Sequence, residues 1–362
     1  MILSANIAQD GSLTFGNAVA TGGAGAHGLA DLSAPDPLFA QGAVKVSAAA
    51  KMLAAVNPGS NTVSLFSIDP NNPGKLTMVG FPISSEGEFP MSLAFDKEGK
   101  NLCVLNGGAV NGVACFDVDA QKGLTPKSNT LRSLGLNQTT PATGPAGTAS
   151  HILFSEDGTK LHASVKGVPP QPGFIASFDV ESDGSLSKDF TPSVPAQGGL
   201  LPFSMTVIPG KNAILATDAG IGFDIFDFSQ GLQASSSVVP IDGQKATCWS
   251  SFSKKTGNFY LTDVGTSIVT EVNVDDSLKG SIVQQIPQGD GTGSIDNDIA
   301  SIGNNDFLYV LLANATTVSV SSLDAPGKVT AVQTFKFDDA AKAAGITVNP
   351  ANVQGMTTFI NA

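Results

Sequence analysis

The side chains best able to do chemistry here are few, and they recur in short, distinctive runs. The only tryptophan, Trp249, closes the run DGQKATCW (Asp242–Trp249), just after Lys245 and Thr247. A second notable lysine, Lys166, sits in VKGVP (Val165–Pro169). Lysine ammonium groups and hydroxyls can donate to a carbonyl oxygen on which negative charge develops. His151, Glu88 and Asp218 are groups able to move a proton. Phe89, Phe203 and Trp249 offer apolar faces on which a ligand could stack. Gln41 and Gln354 add amides that could orient a polar group of the ligand. The set suits a small neutral, hydrophobic or aromatic substrate, held in a reactive geometry and polarised at one oxygen.

Other chemistries are argued against by what the chain lacks. His27, His151 and His162 are far apart and form no zinc pattern. No G-x-S-x-G nucleophile elbow occurs. Residues 23–28 fit G-x-G-x-x-G, but Pro35 and Pro37 follow in place of a helix, so a flexible loop is expected. Asp290-Gly291-Thr292-Gly293 with Asp296 and Asp298 lacks the terminal Glu of a calcium loop and reads as a solvated loop. We therefore expect no metal and no cofactor. The formal charge is −12, from 31 acidic and 19 basic residues, and Arg132 is the only arginine. That balance opposes nucleic acid and polyanionic substrates, which call for clustered cations and bidentate Arg forks. With 41% hydrophobic and only 14% charged residues, the chain can bury a large core. No apolar run is long enough for a membrane span.

The elements that would position these groups are strands. Short apolar alternations, cut by Gly, Asn, Asp and Pro, repeat in a fixed order roughly every 50 residues, the spacing of propeller blades. Six whole units begin near Val44, Ser92, His151, Met205, Ser250 and Ser301. A seventh is expected to be shared: Gln354–Ile360 as innermost strand, and the N-terminal residues, turned at Asp10-Gly11, as outer strands. The fold class is thus all-β, a seven-bladed propeller closed by both termini, forming one domain over residues 1–362. One helix is expected, at Asp338–Ala344. In a propeller, the loops leading into the innermost strands meet the loops after the second strands at one end of the axis. The latter begin at Asn57, Asn106, Lys166, Asp218, Asp263 and Asn314. Most of these read as turn caps, with Lys166 and Asp218 kept as functional candidates. His162, inside a second strand, reads as structural.

Cys103 and Cys115 flank a turn-rich stretch in the second unit, so on hairpin strands their sulfurs would face each other and form a disulfide. Cys248 is then left free. Two glycosylation acceptors, Asn137 and Asn314, add to a secretory expectation. No signal peptide is visible, and Met1-Ile2-Leu3-Ser4 reads as the start of a mature chain with an added Met. A monomer is expected.

The repeats, with F-S-x-D-G-x-x-L at Phe154–Leu161, resemble the lactonase-like seven-bladed propellers. EFPMS (Glu88–Ser92), GLNQTTPATGP (Gly135–Pro145), VKGVP and DGQKATCW are similar to runs in secreted fungal proteins labelled carboxymuconate cyclase-like. The resemblance runs from Leu38 to the C-terminus. Related propellers include fungal hetero-Diels–Alderases, which join quinone methides to terpene-type alkenes. The resemblance and the residues together point first to a cofactor-independent ring-forming enzyme of this kind. The alternative is a carboxymuconate-type lactonizing or lactone-opening enzyme using His151 or Glu88. A second alternative is a noncatalytic secreted glycoprotein acting as adhesin or antigen.

Overall fold

Runs rich in Val, Ile, Phe and Thr, separated by turns with Gly, Asn or Asp, fold as strands because branched and aromatic side chains pack well on a pleated surface. In the computed structural model, which describes residues 1–361, they make six antiparallel sheets in chain order, each with a path of four strands. The innermost strands are Val44–Ser47, Pro90–Phe95, Ala149–Phe154, Pro202–Val207, Thr247–Phe252 and Ser294–Ile302. Each of the first five packs against the innermost strand of the next sheet, so the six are arranged around one axis. Apolar residues fill the space between sheets. Leu65, Leu102 and Phe116 join the first to the second, and Leu215, Phe223, Phe259 and Leu261 join the fourth to the fifth. The fold is an all-β propeller. The one α-helix among the described residues, Phe337–Ala343, has Asp338 and Asp339 in the first turn and Lys342 in the last, each favourable for the helix dipole.

The seventh unit differs from expectation. The N-terminal strands Ile2–Ile7 and Leu13–Val19 do pair as a hairpin, and they touch the outermost strands of the first and sixth sheets. Gln354–Ile360, however, is not a strand. The Met356 and Thr358 amides donate to the carboxylates of Asp296 and Asp298 at 2.9 and 2.7 Å, not to a neighbouring backbone. Gly355, at φ +79°, also interrupts the pleat. The termini therefore meet between the last and first sheets, but only two strands there are hydrogen-bonded to each other.

Cys103 and Cys115 stand directly opposite in the second sheet and form a disulfide, and Cys248 is free and buried. Asn137 is exposed. Asn314 is exposed too, but its amide donates to Gly291 O at 3.0 Å. Among the described residues no helix is long and apolar enough to cross a membrane.

Candidate active site

The innermost strands of the second to sixth sheets share an irregularity near their start. Their register shifts between Pro90 and Ser92, Ala149 and His151, Pro202 and Met205, Thr247 and Trp249, and Ile295 and Asn297. A bulge re-aims a side chain that regular alternation would send into the inter-sheet core. Ser150 and Asp296 are bulge residues, and both reach outside their own sheets: Ser150 O accepts the Gln41 amide at 3.1 Å, and Asp296 accepts from Gln41 Nε2 and the Met356 amide. Asp296 has φ +48° as a result of this turn.

Residues Asp36–Gly42 lie across the axis as a strap. Lys166, from the third sheet, donates to Phe39 O at 2.8 Å, to Ala149 O at 3.3 Å and to Ser150 Oγ. Trp249 Nε1, from the fifth sheet, donates to Ala40 O at 3.3 Å, and Gln354 Nε2 donates to the same oxygen at 2.7 Å. Gln41 Nε2 donates to Ser250 O at 3.2 Å and to Asp296 Oδ1 at 3.0 Å. One short segment is thus tied to the third, fifth and sixth sheets and to the C-terminal residues. The structure brings together five expected residues here: Lys166, Trp249, Phe203, Gln41 and Gln354. Phe203 lies edge-on to Trp249, with ring centroids 5.1 Å apart, and the Lys166 ammonium sits 4.5 Å from the Phe203 centroid. Burial lowers the Lys166 pKa and raises that of Asp36, whose carboxylate accepts from the Ala40 amide at 3.2 Å.

At the end of the strap, Gly42 (φ +90°) has no room for a side chain. A Cβ there would lie 2.8 Å from Ser92 Oγ, 3.2 Å from Lys45 Cε and 3.4 Å from His151 Cδ2. Lys45 and His151 therefore meet at this point. His151 Nδ1 accepts the Met205 amide at 2.9 Å, which puts the ring proton on Nε2. Nε2 is buried and has no partner. Burial, helped by the Lys45 charge, holds the His151 pKa well below its usual value, so the imidazole is neutral near pH 7. Burial also pushes Asp296 up to about 7, against the opposing pull of Lys45, and raises Asp298. The result is an uncharged N–H donor, a nearby cation and one carboxyl group, that of Asp296, able to exchange a proton at neutral pH. These are the components of acid–base acyl chemistry.

Two expectations about this region are corrected. Asp296 and Asp298 are not in a solvated loop but on the innermost strand Ser294–Ile302. Their oxygens are taken by the donors of Gln41, Asn297, Ile299, Met356 and Thr358, which is no arrangement for a calcium ion. Phe89, Phe203 and Trp249 do not line an open channel mouth. All three are fully buried, so none presents a free ring face. Lys45, Ser150 and Asp36 lie outside the expected set. A lysine between Val44 and Val46 on an innermost strand was the one sequence signal for them.

The remaining expected residues lie elsewhere. Asp218 gathers the Leu200, Leu201 and Gly220 amides, and Asp263 repeats the pattern with Lys245, Ala246, Gly265 and Thr266. Both act as loop caps. Thr247 is buried with an unpartnered hydroxyl, and Lys245 is exposed. His162 packs against Phe228, with ring centroids 4.5 Å apart and the planes tilted by 36°, and bonds Ser177, as a structural residue does. Glu88 is bonded by Thr140 Oγ1 and lines a separate groove of about 530 Å³ between the first and second sheets, with Glu86, Asn61 and Val110. Arg132 donates to Ser187 O, Leu131 O, Asn129 O and Leu186 O, so its guanidinium serves the backbone.

Asp224 is a buried carboxyl with neither oxygen hydrogen-bonded. It shares the Gly199 contact with Asp218: a Cβ on Gly199 would lie 2.8 Å from Asp224 Oδ1 and 3.3 Å from Asp218 Oδ2. Burial, then the Asp218 charge, raises the Asp224 pKa well above the ordinary range. A group with a raised folded pKa favours folding at low pH, and that contribution is lost as pH climbs through the folded value. Asp224→Asn has no proton to lose. It should be more stable than the parent in urea titrations at pH 8, with the gap closing towards pH 4. An equal gap at both pH values would show that Asp224 ionises normally.

Residues 3–133 match a family model described as "Lactonase, 7-bladed beta-propeller". The chain is similar to a solved structure described as a "putative 6-phosphogluconolactonase" from Bacteroides fragilis, with TM-score 0.66 and 15% identity over 92% of this chain and 90% of that one. A structure so described from Bacteroides uniformis gives TM-score 0.66 and 14% identity over 91% and 90%. The periplasmic gluconolactonase PpgL of Pseudomonas aeruginosa gives TM-score 0.50 and 15% identity over 77% and 93%. No curated protein matches the chain. At these identities the likeness to solved structures is one of fold alone, that of a β-propeller.

Proposed function

We propose that this lactonase-type propeller opens or forms the ring of an uncharged lactone at its axis. The observation that carries the reading is the His151 imidazole, neutral, buried and with its Nε2–H unpartnered where it meets Lys45, whose charge also acts on Asp296. In the opening direction, an axial carboxylate takes a proton from water as the oxygen attacks the acyl carbon. The oxyanion so formed is drawn to the axial donors, and the ring oxygen accepts from His151 Nε2 and feels the Lys45 charge as it gains negative charge. The ring C–O bond then breaks, and the leaving oxygen takes the proton back from the carboxyl group. The reverse sequence closes the ring.

An uncharged substrate follows from the cations. The one arginine is spent on backbone carbonyls and the net charge is −12, so nothing resembles a phosphate clamp. The family match favours lactone chemistry over cycloaddition. The disulfide supports a secretory route.

Acid release followed at constant pH tests the reading, with δ-valerolactone, γ-butyrolactone and 6-phosphoglucono-δ-lactone as substrates. We expect turnover of the neutral lactones, with kcat/KM at least tenfold above that of the phosphorylated one. A preference for the phosphorylated lactone would remove the claim of an uncharged substrate. No opening of any lactone, and no closure of the matching hydroxy acids, would remove the lactone reading and favour a noncatalytic protein.

A further inference from the structure

We propose that the strap Asp36–Gly42 is a displaceable plug, and that the carbonyls of Phe39 and Ala40 hold the place of a substrate's acyl oxygen. The proposal deepens the lactone reading and rests on it for the class of ligand. Two side-chain N–H donors, from Trp249 and Gln354, converge on the single oxygen of Ala40, and the Lys166 ammonium donates to the adjacent Phe39 oxygen. Convergence of donors on one carbonyl oxygen is how enzymes hold an acyl group whose oxygen gains charge. Here the chain's own peptide groups fill that cradle.

The strap is built in a way that fits removal. Asp36 and Phe39 both have left-handed backbone, at φ +67° and +56°, a conformation non-glycine residues adopt at a cost. The strap forms no sheet ladder: three backbone bonds, at Pro37 O, Gln41 N and Gly42 O, hold it, and its other ties run through side chains. The Phe39 ring is its apolar latch, lodged against Gly28 and Gly144, where any Cβ would overlap the ring. Gly42 forms its other end, where a Cβ would crowd Lys45 and His151, so lifting the strap uncovers the donor cradle and the acid–base groups together.

Amide hydrogen exchange on the whole protein tests this, with δ-valerolactam as the probe, since it presents a ring acyl oxygen and resists hydrolysis. Lactam binding, followed by calorimetry, should speed exchange of the Ala40 and Gln41 amides at least tenfold, while the Leu215 and Leu261 amides of the sheets stay unchanged. Phe39→Ala should speed the same two amides without lactam, and should bind lactam more tightly than the parent. Lactam bound with both strap amides still protected would overturn the proposal, and the unmodified protein suffices for that result should the variant not fold. Lactam binding to neither protein would overturn the cradle. Turnover of lactones with a strap that stays protected would sink the plug and leave the lactone reading standing. A strap that opens in a protein without turnover would do the reverse.

Discussion

Trp249→Ala is expected to lower folding stability by about 3–5 kcal/mol, the cost of emptying a fully buried aromatic site. The side chain has no exposure, packs edge-on against Phe203 and donates to Ala40 O. Removing it leaves a void where the third, fourth and fifth sheets and the strap meet, and these strands are too well tied to collapse into it. Trp249→Phe keeps most of the volume and deletes the N–H. It should cost about 1–2 kcal/mol, the sum of one hydrogen bond and a smaller cavity. Urea unfolding of both variants measures the two values. A Trp249→Ala loss below about 1 kcal/mol would show that the side chain is not part of the packed interior.

The second large effect is on turnover. His151 has two jobs that different amides can mimic. Asparagine can supply an acceptor near the Nδ1 position and so keep the Met205 amide satisfied, but it cannot reach the Nε2 position. His151→Asn should therefore fold with near-parental stability and lose about 100- to 1000-fold in kcat on δ-valerolactone, the usual cost of deleting an oxyanion donor. Glutamine reaches the Nε2 position and misplaces the acceptor. His151→Gln should keep more turnover than His151→Asn while losing about 1–3 kcal/mol, because the buried Met205 amide is left unpaired. If both variants lose stability and neither loses kcat on the folded fraction, His151 is a clasp between the third and fourth sheets and nothing more.

The repeat order was legible because alternation and turn residues report directly on strands, and six sheets stand where six units were expected. The cysteine pair was legible for the same reason, since two residues flanking a hairpin turn must face each other. The shared seventh unit was not, because its amides bond to the Asp296 and Asp298 side chains and no pattern of apolar residues encodes that. SIDNDIA reads as loop by composition. Its alternating Asp296 and Asp298 are strand residues whose carboxylates find donors only in the folded ring. Convergence of Lys166, Phe203, Trp249, Gln41 and Gln354 followed from topology. What topology could not give was the strap, since Asp36–Gly42 carries no periodic signal and the donors it satisfies come from distant sheets. Without it, buried packing residues read as an open mouth.

A crystal soaked with 5-hydroxyvaleric acid, the ring-opened product of δ-valerolactone, tests the central claim most directly. The account predicts density on the propeller axis, with Phe39 and Ala40 moved off Lys166 and Trp249, a carboxyl oxygen in their place and the hydroxyl oxygen within hydrogen-bond distance of His151 Nε2. Density confined to the groove beside Glu88, with the strap in place and His151 Nε2 still unpartnered, would contradict it.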